Sequence, residues 1–218
     1  MKKGIVIIAA LFFTLTAFAQ TEVTFESFLQ QFPKSSLPFA LTTETLRTQL
    51  ESRATNAPVE KAKCLAWEYY DFIPTLEDDA RENRMPVYPE PVAAIETADY
   101  HAVIYNTGRN FARQYKTYNI AVFDKKGKFL TTRCIAGVNP TALASATIDA
   151  ELNVTITEYS VSWSKDYLTN GIEGNTIVGL TEVSTRTVKA TAAKTEGEDW
   201  INAPMKREQG TAVSLQAK

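Results

Sequence analysis

One histidine and two cysteines in 218 residues leave few ways to build a catalytic centre. A zinc site needs three or four His, Cys or carboxylate ligands, and His101, Cys64 and Cys134 do not approach that number at any recognised spacing. The chain has no G-x-S-x-G elbow, and neither cysteine has the sequence context of a nucleophile. No G-x-x-x-x-G-K-[ST] loop is present to cradle phosphates, so "DKKG" at Asp124–Gly127 reads as a turn rather than a nucleotide switch. The formal charge is only −2, which gives no general pull on nucleic acid or anionic lipid. Carboxylates remain. Glu77-Asp78-Asp79 and Glu196-Glu198-Asp199 lack EF-hand spacing and read as solvated loops. Glycosidase-type acid pairs meet in space rather than in sequence, so a carboxylate-dependent hydrolase of an envelope polymer or glycan stands as the alternative function. The leading expectation is a non-catalytic binding or assembly module with no cofactor and no metal.

Long apolar runs are equally scarce. The one present follows Lys2 and Lys3, covers "GIVIIAALFFTLTAF", and ends in "AFA" before Gln20. Its length of 15 residues falls short of the roughly 20 that span a bilayer as a helix. Ala17 and Ala19 occupy the small-residue positions of a cleavage site, so the segment reads as a signal peptide cut between Ala19 and Gln20. The product expected is exported, periplasmic or secreted. It is not lipid-anchored, since no Cys follows the small residues, and it has no transmembrane segment once the signal is removed. Cleavage leaves 199 residues with a formal charge of −4.

In an oxidising compartment Cys64 and Cys134 have two open readings. A disulfide closing about 70 residues would stabilise the fold by roughly 4 kcal/mol in the chain-entropy model. Two separately buried thiols are the other reading, because Cys packs as a small hydrophobe.

The mature chain begins with helical spacing. Phe25, Phe28, Leu29 and Phe32 recur at i, i+3, i+4 and i+7, with Thr24 as cap and Pro33 as stop. Leu46 and Leu50 mark a second helix capped by Thr42 or Thr43. The connector "PKSSLPF" between them should tuck Leu37 and Phe39 into the core. Pro58, then Leu65, Tyr69 and Phe72, favour a third helix over 58–73, with a buried strand as the competing reading. A polar loop with Pro86, Pro89 and Pro91 then crosses to a different pattern.

From Val92 the sequence is β. "YHAVIYN" is a strand, and "TYNIAVFDKKGKFLTTRCI" is two strands joined by a turn with Asp124 at its first corner and Gly127 in the left-handed position. In "SATIDAELNVTIT" every even position from Ala146 to Ile156 is apolar and every odd position from Ser145 to Thr157 is polar. That is one long strand, or two with a tight bend near Asp149 and Glu151. Tyr159, Val161 and Trp163 then continue in odd phase, which requires a bulge or turn near Glu158. Asn170-Gly171 signals a turn, and "TIVGLTEVSTRTVKATAAK" is β sequence, read as a further hairpin.

The fold expected is α+β: two or three N-terminal helices packed on an antiparallel β meander of about seven or eight strands, curling towards a barrel. Its organisation is a signal peptide (1–19), a helical region (20–91), the meander (92–196) and a loose polar tail (197–218). The polar face of the meander reads as scaffold, because threonine suits a wet pleat and carbohydrate platforms need aromatics that this face lacks. The candidate binding feature is the loop "TGRNFARQYK". Arg109, Arg113 and Lys116 alternate there with Phe111 and Tyr115, without an acid among them. Exposed together they would grip an anionic or sugar-like ligand by charged hydrogen bonds and ring stacking.

"FPKSSLPF", "YNIAVFDKKGKFLTTRCI" and "SATIDAELNVTIT" together resemble stretches of small uncharacterised exported proteins of Bacteroidetes-type bacteria. The likeness covers about residues 25–160. It implies an envelope location with an envelope protein or glycan as partner, and helices ahead of a β meander. It carries no activity and no catalytic residues.

Overall fold

The computed structural model describes residues 23–51, 64–76, 88–108, 116–172 and 174–193. The signal segment with Ala19 and Gln20, the loop 109–115, both acidic clusters and the tail 197–218 lie outside the described residues.

Helix α1 (Phe25–Leu29) begins at a capping box. Ser27 N–H donates to Thr24 Oγ1 at 3.1 Å and Thr24 N–H donates to Ser27 Oγ at 2.9 Å, satisfying two donors of the helix start. The connector after Pro33 forms two short strands, β1 (Lys34–Ser35) and β2 (Phe39–Leu41), with a cis Leu37–Pro38 peptide between them. Helix α2 (Thr43–Glu51) is capped by Thr42, whose Oγ1 accepts from Thr45 N–H at 3.2 Å. A 3₁₀ helix (Trp67–Phe72) precedes the remaining strands. These are β3 (Glu90–Glu96), β4 (Tyr100–Gly108), β5 (Lys116–Asp124), β6 (Phe129–Val138), β7 (Ala142–Ile148), β8 (Asn153–Trp163) and β9 (Ile177–Lys189). A single helical turn, α3 (Tyr167–Asn170), lies between β8 and β9.

All nine strands belong to one sheet in the order β1-β3-β4-β5-β6-β7-β8-β9, with β2 paired to β7. Every pairing is antiparallel except that of β1 with β3. Strands β6 and β7 share only the pairs Gly137↔Ala144 and Val138↔Leu143. Beyond that corner the edge of β7 pairs with β2 instead, Leu41↔Ala146 to Phe39↔Ile148. The strands therefore part after the corner, and the sheet curls there into a half-barrel.

Two buried clusters hold the sheet. Alternation along β4 and β5 sends Ala102, Ile104, Ile120 and Val122 into the larger one, with Leu46 and Leu50 of α2 and with Ile148, Val154 and Ile156. The intervening residues Val103, Tyr105, Ala121 and Phe123 enter the smaller one, beneath Phe28, Phe32, Tyr69 and Ile73. Rings meet there, Phe28 and Phe72 stacked at 4.9 Å and Phe25 and Phe123 tilted at 5.1 Å. Each such fully buried side chain contributes about 1.5–3 kcal/mol of hydrophobic stabilisation. The central strands are thus covered on both faces, and the wet outer face runs from β7, where Thr147 is exposed, to β9.

Several expectations need correction. The seven or eight antiparallel strands expected from Val92 onward are present as the seven of β3–β9, but the sheet also takes in β1 and β2 from the region expected to be helical, and β1 pairs with β3 in parallel. Of the 58–73 segment, 58–63 lies outside the described residues, and the described remainder carries a 3₁₀ helix (Trp67–Phe72) rather than the α-helix or the strand expected. Six residues dense in aromatics tighten onto the smaller cluster through Tyr69 rather than extending as a helix. The β sequence after Asn175 is one 13-residue strand rather than a hairpin. No disulfide joins Cys64 and Cys134. Cys134 packs against the larger cluster with its thiol directed at Ala136 O, 3.5 Å away, whereas Cys64 lies near Tyr70, a ring packed against the smaller cluster.

Candidate binding site

The two ends of the sheet are built differently. At one end lie the β3–β4, β5–β6 and β7–β8 turns, all short and closed by their own side chains. Thr97 Oγ1 accepts from Tyr100 N–H at 3.0 Å. Asp124 Oδ1 accepts from the N–H groups of Lys126 and Lys128 at 2.8 and 2.9 Å. Asp149 Oδ1 accepts from Glu151 and Asn153 N–H at 3.0 and 2.8 Å. These bonds favour the ionised carboxylate: the Lys128 amide is the largest cause holding Asp124 low, and the Asn153 side chain that for Asp149. His101 sits near this end as well, edge-on to Phe25 at 5.6 Å. Burial first, then Lys125, pushes its imidazole below the ordinary value. Here His101 is a packing residue.

The other end carries the 109–115 connection, the β6–β7 corner and the long β8–β9 connection, and it gathers polar side chains into the half-buried layer. Cross-strand register places Glu90 beside Asn106 and Asn106 beside Tyr118. Asn106, only 4% exposed, donates from Nδ2 to Glu90 Oε2 at 3.0 Å. Lys116 Nζ binds the same carboxylate oxygen, and this ion pair is largely withdrawn from solvent on the lysine side. Tyr118 donates its hydroxyl to Gln49 Oε1 of α2 at 2.7 Å. Burial, then the Glu90 charge, pushes the Tyr118 phenol up to about 12. Arg47 Nη2 and Glu51 Oε1 of α2 bind Ile177 O and N–H at 2.7 and 3.1 Å, which pins the helix to the same end of the sheet.

Three buried asparagines here differ in how far they are satisfied. Asn175 uses both ends of its amide: Oδ1 accepts from Ser164 Oγ and from Lys165 N–H, and Nδ2 donates to Lys165 O and Gly171 O. Asn139 Oδ1 accepts from Thr141 N–H, Thr141 Oγ1 and Ala142 N–H, closing the β6–β7 corner, but its Nδ2 is buried without a partner among the described residues. Asn106 Oδ1 is likewise buried without one.

Of the sequence-derived loop residues only Lys116 is described, and it is not a solvated cation of the loop but the partner of Glu90. Arg109, Phe111, Arg113 and Tyr115 lie outside the described residues. The threonine face of β8 is tied to β9 by Thr155–Thr187 and Thr185–Thr157 hydroxyl bonds at 3.1 and 3.0 Å, which is scaffold chemistry. Sequence reading missed Gln49, Glu90, Asn106, Tyr118 and Asn139. A signal existed for Asn106: it interrupts the Ala102, Ile104 phase of β4 at the next inward position. Among the described residues no three His, Cys, Asp or Glu side chains come together as a metal-binding group, and no helix is long and apolar enough to cross a membrane.

No protein-family model matches the chain, and neither a curated protein nor a solved structure matches it.

Proposed function

We propose that the chain is an exported, non-catalytic binding module of the cell envelope that takes an envelope protein or glycan at the end of the sheet carrying the long connections. The observation that carries this reading is the contrast between the ends: one is closed by turns that satisfy themselves, the other buries polar side chains whose hydrogen-bonding capacity is only partly used. The sequence-derived candidates Arg109, Phe111, Arg113 and Tyr115 belong to the connection between Gly108 and Lys116, and in this reading they contribute to the site. Against the hydrolase reading stands the chemistry of the acids. The described carboxyls whose titration is displaced, Glu96, Asp124, Asp149 and Asp166, are held low, by Lys125, by turn amides and by the Asn153 and Thr169 side chains, whereas a general acid needs a raised pKa.

The test is co-sedimentation of the 20–218 chain with insoluble envelope material. Arg109→Ala with Arg113→Ala should weaken retention about 10-fold or more, since hydrogen bonds to charged groups contribute about 1.5–3 kcal/mol each. Unchanged retention would remove the loop from the site, and release of soluble fragments on incubation would favour the hydrolase.

A further inference from the structure

Resting on that reading, we infer that Trp67 is the ligand-stacking residue at this end of the molecule, and that the ligand is a glycan carrying acidic groups. Trp67 is 81% exposed, the most exposed of the large apolar side chains described. Its element is nevertheless anchored. A 3₁₀ helix repeats every three residues, so side chains three apart fall on one line. Ala66, Tyr69 and Phe72 form the line that packs on the smaller cluster, where Tyr69 is buried. Trp67 and Tyr70 form the second line, and the exposed Glu68 and Asp71 form the third. Leu65 N–H donates to Pro89 O at 2.8 Å, directly before Glu90, the partner of Asn106 and Lys116. Trp67 is two residues from Leu65, at most about 7 Å of chain, so it belongs to the end that carries the 109–115 connection.

An exposed indole offers an apolar area of the size of one sugar ring. The C–H face of a pyranose covers it, and the sugar hydroxyls donate to the carboxylates of the neighbouring line. A protein partner would need about 800 Å² of surface with several apolar anchors at its centre. Trp67 lacks such company: its exposed neighbours on the element are acids, and Leu168 and Val178 lie on the β8–β9 side. The charge of the glycan follows from the cations of the connection. Lys116 is already neutralised by Glu90, whereas Arg109 and Arg113 have no acid among their sequence neighbours. A neutral glycan would make no use of those two cations. An acidic one meets both groups, with hydroxyls at Glu68 and Asp71 and acid groups bound to the arginines by charge-assisted hydrogen bonds.

Titration calorimetry of the 20–218 chain with hexasaccharides of galacturonate, mannuronate and glucuronate, and with the neutral hexasaccharide of galactose, is the measurement. At least one acidic hexasaccharide should bind, and Trp67→Ala should weaken it about 10-fold or more, with Trp67→Phe keeping part of the affinity. Because the side chain is exposed, Trp67→Ala should leave the urea midpoint unchanged, which separates binding from folding. Arg109→Ala with Arg113→Ala should lower the acidic ligand to the affinity of the neutral one. Equal binding by Trp67→Ala and the native chain would overturn the inference, as would failure of every acidic hexasaccharide. Equal affinity for the galactose hexasaccharide would overturn the acidic assignment. If envelope material is still retained through Arg109 and Arg113 while no hexasaccharide binds, the glycan inference fails and the binding module stands. If nothing is retained either, both fail.

Discussion

Gly127 shows how much one position can carry. Its φ of +82° lies where L side chains are strained, and Gly127 N–H donates to Asp124 O at 3.0 Å to close the β5–β6 turn. A methyl group there would also stand 2.6 Å from Phe25 Cγ, so the bare backbone is what lets α1 settle on the sheet. Gly127→Ala should destabilise the fold by about 1–3 kcal/mol, read from the urea midpoint. Tyrosines provide a second check. Burial pushes Tyr118 and Tyr70 up to about 12 from 10.0. Between those values the unfolded chain releases phenolic protons that the folded chain keeps, so stability falls as pH rises through that window. Urea midpoints at increasing pH in that range should decline. The turn role of Asp124 and Gly127 was legible in sequence because turn chemistry is local. Asn106 was not read, because its meaning depends on Glu90 from another strand and on Gln49–Tyr118 beside it.

Among the elements, the β7–β8 hairpin was legible because one face is wet and the period is two. Ala146, Ile148, Leu152, Val154 and Ile156 are buried as alternation requires, and Leu152 reaches the core from a left-handed turn position at φ 60°. Ala150, at the tip, is exposed despite its phase, since the turn breaks the pleat there. The phase slip after Glu158 is present as a register shift between Glu158 and Tyr159. Ile148→Ala should cost about 2–5 kcal/mol and Thr147→Ala less than about 0.5, a contrast that a sheet turned inside out would reverse. Helices α1 and α2 were equally readable from their caps. Strands β1 and β2 were not, because two and three residues carry no period and are extended only by their partners β3 and β7. The 3₁₀ segment defeated the helical reading because its aromatics serve one nearby cluster, which three residues per turn reach as well as 3.6.

Across the whole molecule, the curled sheet, α2 and the paired charges leave one end sealed and the other chemically unfinished. Sequence supplied the α+β class and the order of elements. It did not supply the division into two ends, which comes from register and from which turns satisfy themselves. The most direct test is amide hydrogen exchange with and without solubilised envelope material at saturating concentration. Added protection is predicted in 103–118, 136–145 and 160–178, with 96–101, 122–130 and 148–154 unchanged. Protection at the sealed end, or none anywhere, would contradict the account.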